Sequence, residues 1–420
     1  MMRQLLITRQ EDMVLSSMFE EKDLIQVHVE NTKEQSKIGN IYVAKVKNIV
    51  KNIEAAFVEI EGKQMCFLSL KRENEPIFCN VKKNKKICVG DEILVQVITD
   101  GVKTKGPTVT TNLSFTGKYV VLTHGKMHIG ISNKLVDKKE RERLRDICVD
   151  FPQDGCGYVV RTNAKDVKEE QLLEEVHILF TLYQNIKTTG VCKSCFSCIY
   201  KGIPGYLSDI RDGYSYELDE IVTDNRELYT EIKTFLQTYQ KEDLSKLRYY
   251  EDEQISLQCL YSLETKISRA LKEKVWLKSG GYLVIQPTEA LTVIDVNTGK
   301  AISGRKPTEE TFLRVNTEAA EEIAKQLRLR NLSGIIVIDF IDMVKEKSRE
   351  QLITYLSGLI QKDPVKTVFV DMTKLNLVEI TRQKVRKPLH EQVFYDEGKL
   401  QFYNGKRRNS CEEGTEHSKK

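Results

Sequence analysis

The sequence predicts a multi-domain protein of mixed α/β and α+β architecture, and three observations support this. At 420 residues and 40% hydrophobic composition, the chain is longer than a single core usually holds. Closely spaced β-rich runs occupy residues 38–99, a mixed pattern follows over 113–200, and a strand–helix–strand pattern starts at residue 291. We therefore predict a small barrel, an α+β unit and a parallel crossover, in that order.

The composition indicates in which cellular compartment the protein works, but it does not identify what the protein binds. A net charge of +4 with 30% charged residues suits many proteins and does not identify a polyanionic ligand. The sequence contains no long uncharged apolar stretch and no secretion signal, so no membrane partner is expected. Its ten cysteines are scattered, which favours reduced thiols and a cytoplasmic protein.

Two local clusters of basic residues are candidates for phosphate contacts. One surrounds Trp276, and the other is predicted on a helical stretch near the end of the chain. Their members are Arg269, Lys272, Lys274 and Lys278 in the first, and Arg382, Lys384, Arg386 and Lys387 in the second. Taken singly, either cluster is more often a solvated face than a phosphate track, so both interpretations stay open.

The predicted barrel carries two aromatic residues beside two lysines. Phe57 and Phe67 fall on neighbouring strands, near Lys45 and Lys47. They would form a base-stacking platform over a basic surface if they faced outwards. The alternative, slightly favoured by the sequence alone, is that both rings fill the barrel interior.

The α+β unit contains a candidate anion site and a cysteine cluster. In YVVRTNAKD, a strand leads into Arg161 and Thr162, where a guanidinium and a hydroxyl could hold a phosphate. An amphipathic helix is predicted around EEQLLEEVHILFTLYQNI. The spacing of Cys192, Cys195 and Cys198 suits zinc or an iron–sulfur cluster, but ordinary thiols are the commoner meaning because no fourth ligand is apparent.

The segment LTVIDVNTGK, which begins at Leu291, places polar residues inside an apolar strand. Period-two alternation puts Asp295 and Asn297 on one face, at the end of the strand. A helix is predicted over 309–330, followed by the apolar strand IIVIDFIDM, which is typical of a sheet covered on both faces. Asp339 lies near the carboxyl end of that strand, so a parallel crossover would bring Asp295 and Asp339 to one edge.

Two carboxylates at one edge repel each other unless a cation lies between them. Oxygen ligands favour Mg²⁺ or Mn²⁺, and Asn297 could orient a carboxylate or a water. The alternative is that each acid caps a helix or pairs with a lysine, but two on successive strands favour the metal site. Asp342 is predicted to face away on the same strand and to be structural, and Asp371 is a reserve ligand.

Three long segments resemble the catalytic signatures of the ribonuclease E/G family. They are EALTVIDVNTGKA, NTEAAEEIAKQLRLRNLSGIIVIDFIDM and TKLNLVEITRQKVRKPL. The likeness covers nearly all of residues 1–390 and also includes GISNKL, VVRT and KVWLKSGGYLVIQPTEAL.

This resemblance implies an RNase H-like core, an inserted OB-fold barrel, a sensor unit for the 5′ end of RNA and a DNase I-like catalytic subdomain. The expected bounds are 1–35 and 205–275 for the RNase H-like parts, 36–112 for the OB fold, 113–204 for the sensor, 276–395 for the catalytic subdomain and 396–420 for a polar tail. The compact ribonuclease G type is the better match, because no long extension follows.

The resemblance also assigns expected roles to residues. It implies that Asp295 and Asp339 bind one Mg²⁺ with support from Asn297, for hydrolysis of single-stranded RNA to 5′-phosphate and 3′-hydroxyl ends. It implies 5′-monophosphate binding by Arg161 and Thr162, and RNA contacts by Phe57, Phe67 and Lys105. The expected enzyme favours A/U-rich substrates in RNA processing or decay, and the rival expectation is a catalytically silent RNA-binding protein of the same fold.

One departure concerns zinc. Family members carry a C-P-x-C pair after the RKPL-like segment and share zinc between two subunits, whereas Cys411 is the only cysteine after that segment here. A structural zinc is therefore not expected, and any homo-oligomer would form without that link.

Overall fold

The computed structural model describes residues 2–33, 36–71, 75–80, 86–101, 106–213, 218–252, 254–302, 308–396 and 399–402. The chain divides into two compact units, which are described separately. Unit 1 comprises Met1–Glu30, Leu218–Leu228 and Arg248–Lys420, and unit 2 comprises Asn31–Glu217 and Tyr229–Leu247.

Strands and helices are numbered along the chain. The strands are β1 (Arg3–Gln10), β2 (Met13–Glu20), β3 (Asp23–Asn31), β4 (Ile41–Val50), β5 (Ala55–Ile60), β6 (Gln64–Ser69), β7 (Glu92–Thr99), β8 (Thr108–Thr110), β9 (Ser114–Thr116), β10 (Val120–His124), β11 (Ile129–Ile131), β12 (Cys156–Val160), β13 (Cys198–Tyr200), β14 (Glu220–Thr223), β15 (Leu247–Tyr249), β16 (Lys274–Trp276), β17 (Tyr282–Pro287), β18 (Leu291–Asn297), β19 (Gly334–Asp339), β20 (Thr367–Met372), β21 (Leu377–Arg382), β22 (Val393–Asp396) and β23 (Lys399–Phe402). The α-helices are α1 (Lys138–Ile147), α2 (Glu169–Gly190), α3 (Gly205–Asp212), α4 (Arg226–Tyr239), α5 (Leu257–Leu260), α6 (Leu263–Leu271), α7 (Glu309–Leu329) and α8 (Glu346–Gln361).

Unit 2 contains the predicted barrel. Strands β4, β5, β6, β8 and β7 pair in that order, and β4 also pairs with β7, which closes the ring. Alternate residues point inwards, so that Val46, Val58, Cys66 and Leu68 are buried in the barrel core. A closed barrel of five strands fits an OB-like fold.

The rest of unit 2 combines a small sheet with helices, as the mixed pattern predicted. The sheet has the order β11-β12-β10-β9. The predicted amphipathic helix is confirmed as α2, whose buried face includes Leu172, Val176, Leu179 and Tyr183. These side chains pack in one hydrophobic core with sheet residues that include Val120 and Tyr158.

Unit 1 begins with a five-stranded sheet of order β15-β14-β1-β2-β3. β1 pairs antiparallel with β2 and parallel with β14. Its core includes Leu6, Phe19 and Val222, with Leu263 and Ile267 from α6.

The second sheet of unit 1 has the order β16-β17-β18-β19-β21-β20. β18, α7 and β19 form the predicted crossover, because β18 and β19 are parallel and α7 connects them. Helix α7 starts where the Thr308 side chain accepts a hydrogen bond from the amide of Thr311. Asn331, which follows the helix, has a φ of 48°, in the left-handed region where helices commonly end.

The prediction that the apolar strand is covered on both faces is wrong. Helices α7 and α8 supply buried residues to one core with the sheet, including Ile323 and Leu352. On the opposite face, Ile335 of β19 is 51% exposed and Val293 of β18 is 37% exposed. We refer to this opposite face as the open face of the sheet.

The second basic cluster does not lie on a helix, so that prediction is also wrong. β21 ends at Arg382, and the described residues that follow it, up to a short 3₁₀ turn at Leu389–Glu391, are not helical. Arg382 itself is only 4% exposed and belongs to the interior rather than to a solvated face. Val385, which lies between Lys384 and Arg386 in the sequence, is 51% exposed.

The last described residues form a hairpin. β22 pairs antiparallel with β23, and Leu400 is 3% exposed. Residues 399–402, at the start of the predicted polar tail, therefore belong to this hairpin, and residues 403–420 lie outside the described part of the chain. None of the described helices is long and apolar enough to cross a membrane.

Candidate active site on the open face of the sheet

Strand β18 presents its polar residues on the open face. The predicted alternation is confirmed, because Thr292, Ile294 and Val296 are buried whereas Asp295 and Asn297 are partly exposed. The apolar side of the strand thus packs on the helices, and the polar side remains accessible.

Asp339 lies directly opposite Asp295. The two residues are register partners on the parallel strands β18 and β19, whose backbones are about 5 Å apart at the usual strand spacing. Burial raises the pKa of Asp339, and the negative charges of Asp295 and Asp342 raise it further. The open face therefore holds two mutually repelling carboxylates at the carboxyl ends of adjacent parallel strands.

Asn297 is directed at the first carboxylate. Its amide nitrogen Nδ2 donates a hydrogen bond to Oδ2 of Asp295 at 2.7 Å. The turn after it packs closely on a second turn: a Cβ on Gly299 would lie 2.5 Å from the carbonyl oxygen of Gly280, and Gly299 has a φ of +49°. This close contact requires glycine and holds the end of β18 in place.

Asn316 is a supporting residue that the sequence analysis missed. It is fully buried on α7, where its Nδ2 donates to the carbonyl of Ile341 at 2.8 Å and its Oδ1 accepts from the amide of Ile341 at 3.0 Å. Both bonds fix the backbone two residues after Asp339. An asparagine inside the buried stripe of an amphipathic helix is the signal that could have identified it.

Asp342 occupies a different position from the one predicted, whereas Asp371 lies at the carboxyl end of β20, at the same edge of the sheet as Asp339. β19 ends at Asp339, so Asp342 lies beyond the strand; Asn376 donates to its Oδ1 at 3.2 Å. Its charge also contributes to the raised pKa of Asp339, so Asp342 is a neighbour of the site. Asp371 lies on β20, which is separated from β19 by β21, and its register partner on β21 is Glu379. Its Oδ1 accepts a hydrogen bond from the amide of Met372.

The donor set fits a magnesium ion better than a zinc ion. Within the described ranges, no three His, Cys, Asp or Glu side chains are grouped so that they could hold a metal. Mg²⁺ is commonly bound by only one or two carboxylates and completes its shell with waters and substrate phosphate oxygens. Structural zinc sites need four protein ligands. Asp295 and Asp339 would therefore be the two protein ligands, with Asn297 orienting the first.

A stability measurement tests whether the carboxylate pair is repulsive. Because the pKa of Asp339 is raised, its contribution to stability is most favourable at acidic pH and is lost as the pH rises through that pKa. At neutral pH in EDTA, we expect Asp339→Asn to raise the melting temperature by about 0.5–4 °C, from roughly 0.2–1 kcal/mol of relieved cross-strand repulsion. Thermal unfolding followed by circular dichroism measures this.

The control is the same comparison with Mg²⁺ present. A cation that binds the folded site should stabilise the unmutated protein and leave the variant unchanged. A lower melting temperature for Asp339→Asn in EDTA would instead indicate that Asp339 has a structural role.

The barrel aromatics face outwards, contrary to the slightly favoured interpretation. Phe57 and Phe67 are cross-strand partners with ring centroids 6.1 Å apart, and both are partly exposed whereas their neighbours Val58 and Cys66 are buried. The lysines beside them are paired with acids. Lys47 lies 2.6 Å from Glu59, and Lys45 lies 4.0 Å from Glu92. Lys105, the third predicted RNA contact, lies outside the described residues.

Arg161 and Thr162 lie together where β12 ends, as the pattern predicted. Nη1 of Arg161 donates to the carbonyl of Gly117 at 2.6 Å and lies 2.8 Å from Oδ1 of Asp212. Oγ1 of Thr162 is 3.4 Å from Oγ of Ser132. Since these described contacts of Arg161 use only Nη1, its Nε and Nη2 donors remain available for an anion.

Asp212 balances the charge of this region. Burial acts to raise its pKa, but the guanidinium groups of Arg211 and Arg161 outweigh burial and hold the pKa below its ordinary value. Asp212 is therefore ionised at neutral pH, and a bound phosphate would compete with it for Arg161.

The cysteine cluster does not form a metal site in the described structure. No group of three potential ligands exists there, and the thiols of Cys192 and Cys198 contact the carbonyls of Thr188 and Tyr200. Burial raises the pKa of both Cys195 and Cys198, which disfavours the thiolate that metals need. Every cysteine in the described ranges is free.

Comparisons with known proteins agree with the signatures in this site. The model of the ribonuclease E/G family matches residues 114–385, which include Asp295 and Asp339. Ribonuclease G of Salmonella typhimurium is 34% identical over 374 residues, covering 87% of this chain and 76% of that protein. Ribonuclease G of Haemophilus influenzae is 34% identical over 385 residues, covering 89% and 78%. Ribonuclease E of Synechocystis sp. is 34% identical over 375 residues, covering 88% and 55%.

Proposed function

The chain belongs to the ribonuclease E/G family and is an endoribonuclease, and from this premise we propose that it hydrolyses single-stranded RNA with the help of Mg²⁺. The products carry 5′-phosphate and 3′-hydroxyl ends. The single observation that supports this most is the direct register of Asp295 with Asp339 on the open face. A protein that only bound RNA would have no use for two repelling carboxylates at that position.

The proposed roles of the chain's residues follow from their positions. Asp295 and Asp339 would hold the cation from adjacent strand ends, and the hydrogen bond from Asn297 to Oδ2 of Asp295 would orient that carboxylate. When bound, the ion lowers the pKa of a coordinated water, polarises the scissile phosphate and offsets charge that develops during hydrolysis. Asn316 keeps the segment after Asp339 in place.

The outer face of the barrel is the proposed platform for RNA. The partly exposed rings of Phe57 and Phe67 supply stacking surface, which binds bases with little sequence preference. Lys105 is proposed as a further contact on the basis of the family resemblance alone. Preference for A/U-rich segments is part of the same proposal, because single strands that lack stable pairing are the accessible substrates.

The proposed domain layout follows the resemblance. Strand β1 lies between antiparallel β2 and parallel β14, which supports an RNase H-like unit, and the closed barrel supports the OB-fold assignment. A 5′-sensor unit and a DNase I-like subdomain are proposed for residues 113–204 and 276–395. We also propose a cytoplasmic location, which the free cysteines support.

The assay that tests the main proposal uses the purified full chain and a 5′-monophosphorylated A/U-rich oligonucleotide, with Mg²⁺, with Mn²⁺ and with EDTA. Cleavage that requires the divalent ion and leaves a 5′-phosphate on the downstream product is expected. RNA binding without cleavage under all three conditions would favour the catalytically silent alternative.

Arg161→Ala should reduce the preference for a 5′-monophosphate. Removing the guanidinium removes a bidentate partner for the terminal phosphate, so the rate on the monophosphorylated substrate should fall about 10-fold, which corresponds to about 1.4 kcal/mol. Rates on 5′-hydroxyl and 5′-triphosphate substrates should change little. Initial rates on the three substrates measure the effect.

Lys165→Ala is the matched control, because Lys165 is an exposed cation a few residues further along, 3.8 Å from Asp166. It should leave the preference intact. If the unmutated protein cleaves all three substrates at equal rates, Arg161 and Thr162 do not form a 5′-phosphate site.

A further inference from the structure

We propose that Trp276, Tyr282 and Lys274 form a nucleobase-binding subsite on the open face, beside the carboxylate pair. We refer to these three residues as the Trp276 subsite. Its proposed occupant is a base of the single-stranded RNA substrate, close to the bond that is cleaved. This inference rests on the proposed function, since it assigns a second part of the same site to the same substrate.

Strand register places the subsite on the same face as the acids. Trp276 pairs with Tyr282, and Tyr282 pairs in turn with Asn297. The next row of register partners on this face begins at Lys274, which pairs with Val284. Val284 pairs with Asp295, and Asp295 pairs with Asp339. Residues in one such row point to the same side of a sheet.

The burial pattern supports this placement. Lys274 and Trp276 are exposed and flank the partly buried Val275, while Leu283 and Ile285 of β17 are buried on the covered face. Trp276 is 60% exposed although it is a large aromatic residue. Exposed tryptophan and tyrosine side chains are enriched at interfaces, where one part of the ring is apolar and another is hydrated.

The three side chains form a preorganised cluster. The rings of Trp276 and Tyr282 meet edge to face with centroids 5.3 Å apart. Nζ of Lys274 lies 4.3 Å from the centroid of Trp276 and 3.6 Å from that of Tyr282. The ammonium fixes both rings by cation–π contacts, and it forms no ion pair within the part of the chain that the structure describes.

The surrounding charge favours an anionic strand over an apolar protein partner. Lys272 and Lys278 lie close along the chain and are exposed, as is Arg269. Aromatic rings interleaved with cations are the combination that binds single-stranded nucleic acid, because bases stack while the lysines contact phosphates. Of the first basic cluster, which the sequence left open, Lys274 is thereby assigned to the substrate.

The spacing connects the subsite to the scissile bond. Lys274 and Asp295 are two strands apart, or about 10 Å between backbones. That span corresponds to roughly three nucleotides at the stacked spacing of about 3.4 Å, and to fewer in an extended strand. The bound base should therefore belong to a nucleotide within about three positions of the cleaved bond.

The chain's only tryptophan makes the subsite directly observable. Trp276 is that residue, so intrinsic tryptophan fluorescence reports on the subsite alone. We expect a single-stranded oligonucleotide, added to the full chain in EDTA, to quench this fluorescence. The midpoint should equal the Kd measured independently by anisotropy of a labelled oligonucleotide.

Substitution gives the second measurement. Trp276→Ala should weaken binding of the oligonucleotide about 5- to 150-fold, the range for loss of one stacked base, whereas Trp276→Phe should retain most of the affinity. In the presence of Mg²⁺, Trp276→Ala should raise KM more than it lowers kcat. Lys274→Ala should reduce the slope of log Kd against log salt concentration by about 0.7.

Tyr355→Ala is a matched control, because Tyr355 is an aromatic residue 39% exposed on α8, which packs on the covered face. It should leave Kd unchanged. Circular dichroism of each variant establishes that folding is retained, and Trp276→Phe serves as the second variant if Trp276→Ala does not fold.

Scanning the substrate with single abasic nucleotides identifies the bound base. One position within about three nucleotides of the cleaved bond should lose affinity with the unmutated protein, and the same position should be neutral with Trp276→Ala. Unchanged fluorescence at saturating RNA, or equal Kd values for the Ala variant and the unmutated protein, overturns the proposal. Because these readouts need no cleavage, a protein that cleaves RNA without quenching refutes only the subsite, and one that never cleaves refutes the proposed function.

Discussion

Asp339→Asn should abolish Mg²⁺-dependent cleavage of RNA and leave RNA binding in place. The substitution keeps the size of the side chain and removes one of two carboxylates that face each other across β18 and β19. Losing one group that stabilises developing charge typically costs about 100- to 1,000-fold in rate, and loss of a metal ligand should reach at least this range. Single-turnover cleavage at saturating enzyme measures the rate, and anisotropy in EDTA measures binding.

Asp371→Asn provides the matched control. Asp371 also lies on the sheet, but on the edge strand β20, separated from β19 by β21. It should retain at least about half of the rate, because no direct ligand is lost. Undiminished Mg²⁺-dependent cleavage by Asp339→Asn would refute the assignment of the active site, and a large loss in Asp371→Asn would return that residue to the list of ligands.

The placement of Asp295 and Asp339 could be predicted because local patterns determine it. Alternation within seven residues decides which face Asp295 occupies, and the helix between the strands has the length of a parallel crossover. Neither inference requires knowledge of distant contacts. The bounds of α7, predicted as 309–330 and observed as Glu309–Leu329, show how well a capped amphipathic helix can be located.

The direction of the barrel aromatics could not be predicted in the same way. Phe57 and Phe67 occupy alternate positions in strands whose other face is also apolar, so periodicity alone permits either direction. Closure of the barrel decides which face is buried, because Ala56 and Val58, on either side of Phe57, belong to its interior core. Closure depends on pairing between β4 and β7, which are far apart in the sequence.

The open face of the second sheet of unit 1 could not be predicted, for a related reason. A run such as IIVID is apolar on both sides, which usually means that both faces are covered. The structure instead covers one face with α7 and α8 and leaves Ile335, which lies on the same face of β19 as Asp339, exposed. Burial raises the pKa of Asp339, and the strand pattern of the sequence does not reveal that burial.

Arg382 is the clearest case of a residue whose burial is predicted wrongly from its amino-acid type. A run of basic residues predicts a solvated face, yet the guanidinium of Arg382 is buried and paired with Asp363, at side-chain exposures of 3% and 6%. Nε of Arg382 lies 2.8 Å from Oδ2 of Asp363, and Nη1 donates to Oδ1 of Asn331 and to the carbonyl of Leu332. The pair is satisfied on every side, which is the condition under which a buried ion pair persists.

Breaking this pair should have the largest effect on stability. Asp363→Ala leaves a buried guanidinium without its carboxylate, at a cost of about 3–5 kcal/mol in the free energy of unfolding. The amide of Val365 and the hydroxyl of Thr367 lose an acceptor in the same variant. Urea unfolding followed by the fluorescence of Trp276, which lies in the same sheet as Arg382, measures the change.

The double variant Asp363→Leu with Arg382→Met separates the two causes of that loss. Replacing both charges by apolar side chains removes the unpaired guanidinium, so the double variant should recover a large part of the stability that Asp363→Ala loses. Recovery should be incomplete, because Asn331 and Leu332 lose their donor. Glu174→Ala, which removes an ion pair whose side chains are 66% and 55% exposed, should cost much less than Asp363→Ala. If Asp363→Ala costs no more than Glu174→Ala, the pair of Asp363 and Arg382 is open to water in solution, and its burial does not govern the stability of this sheet.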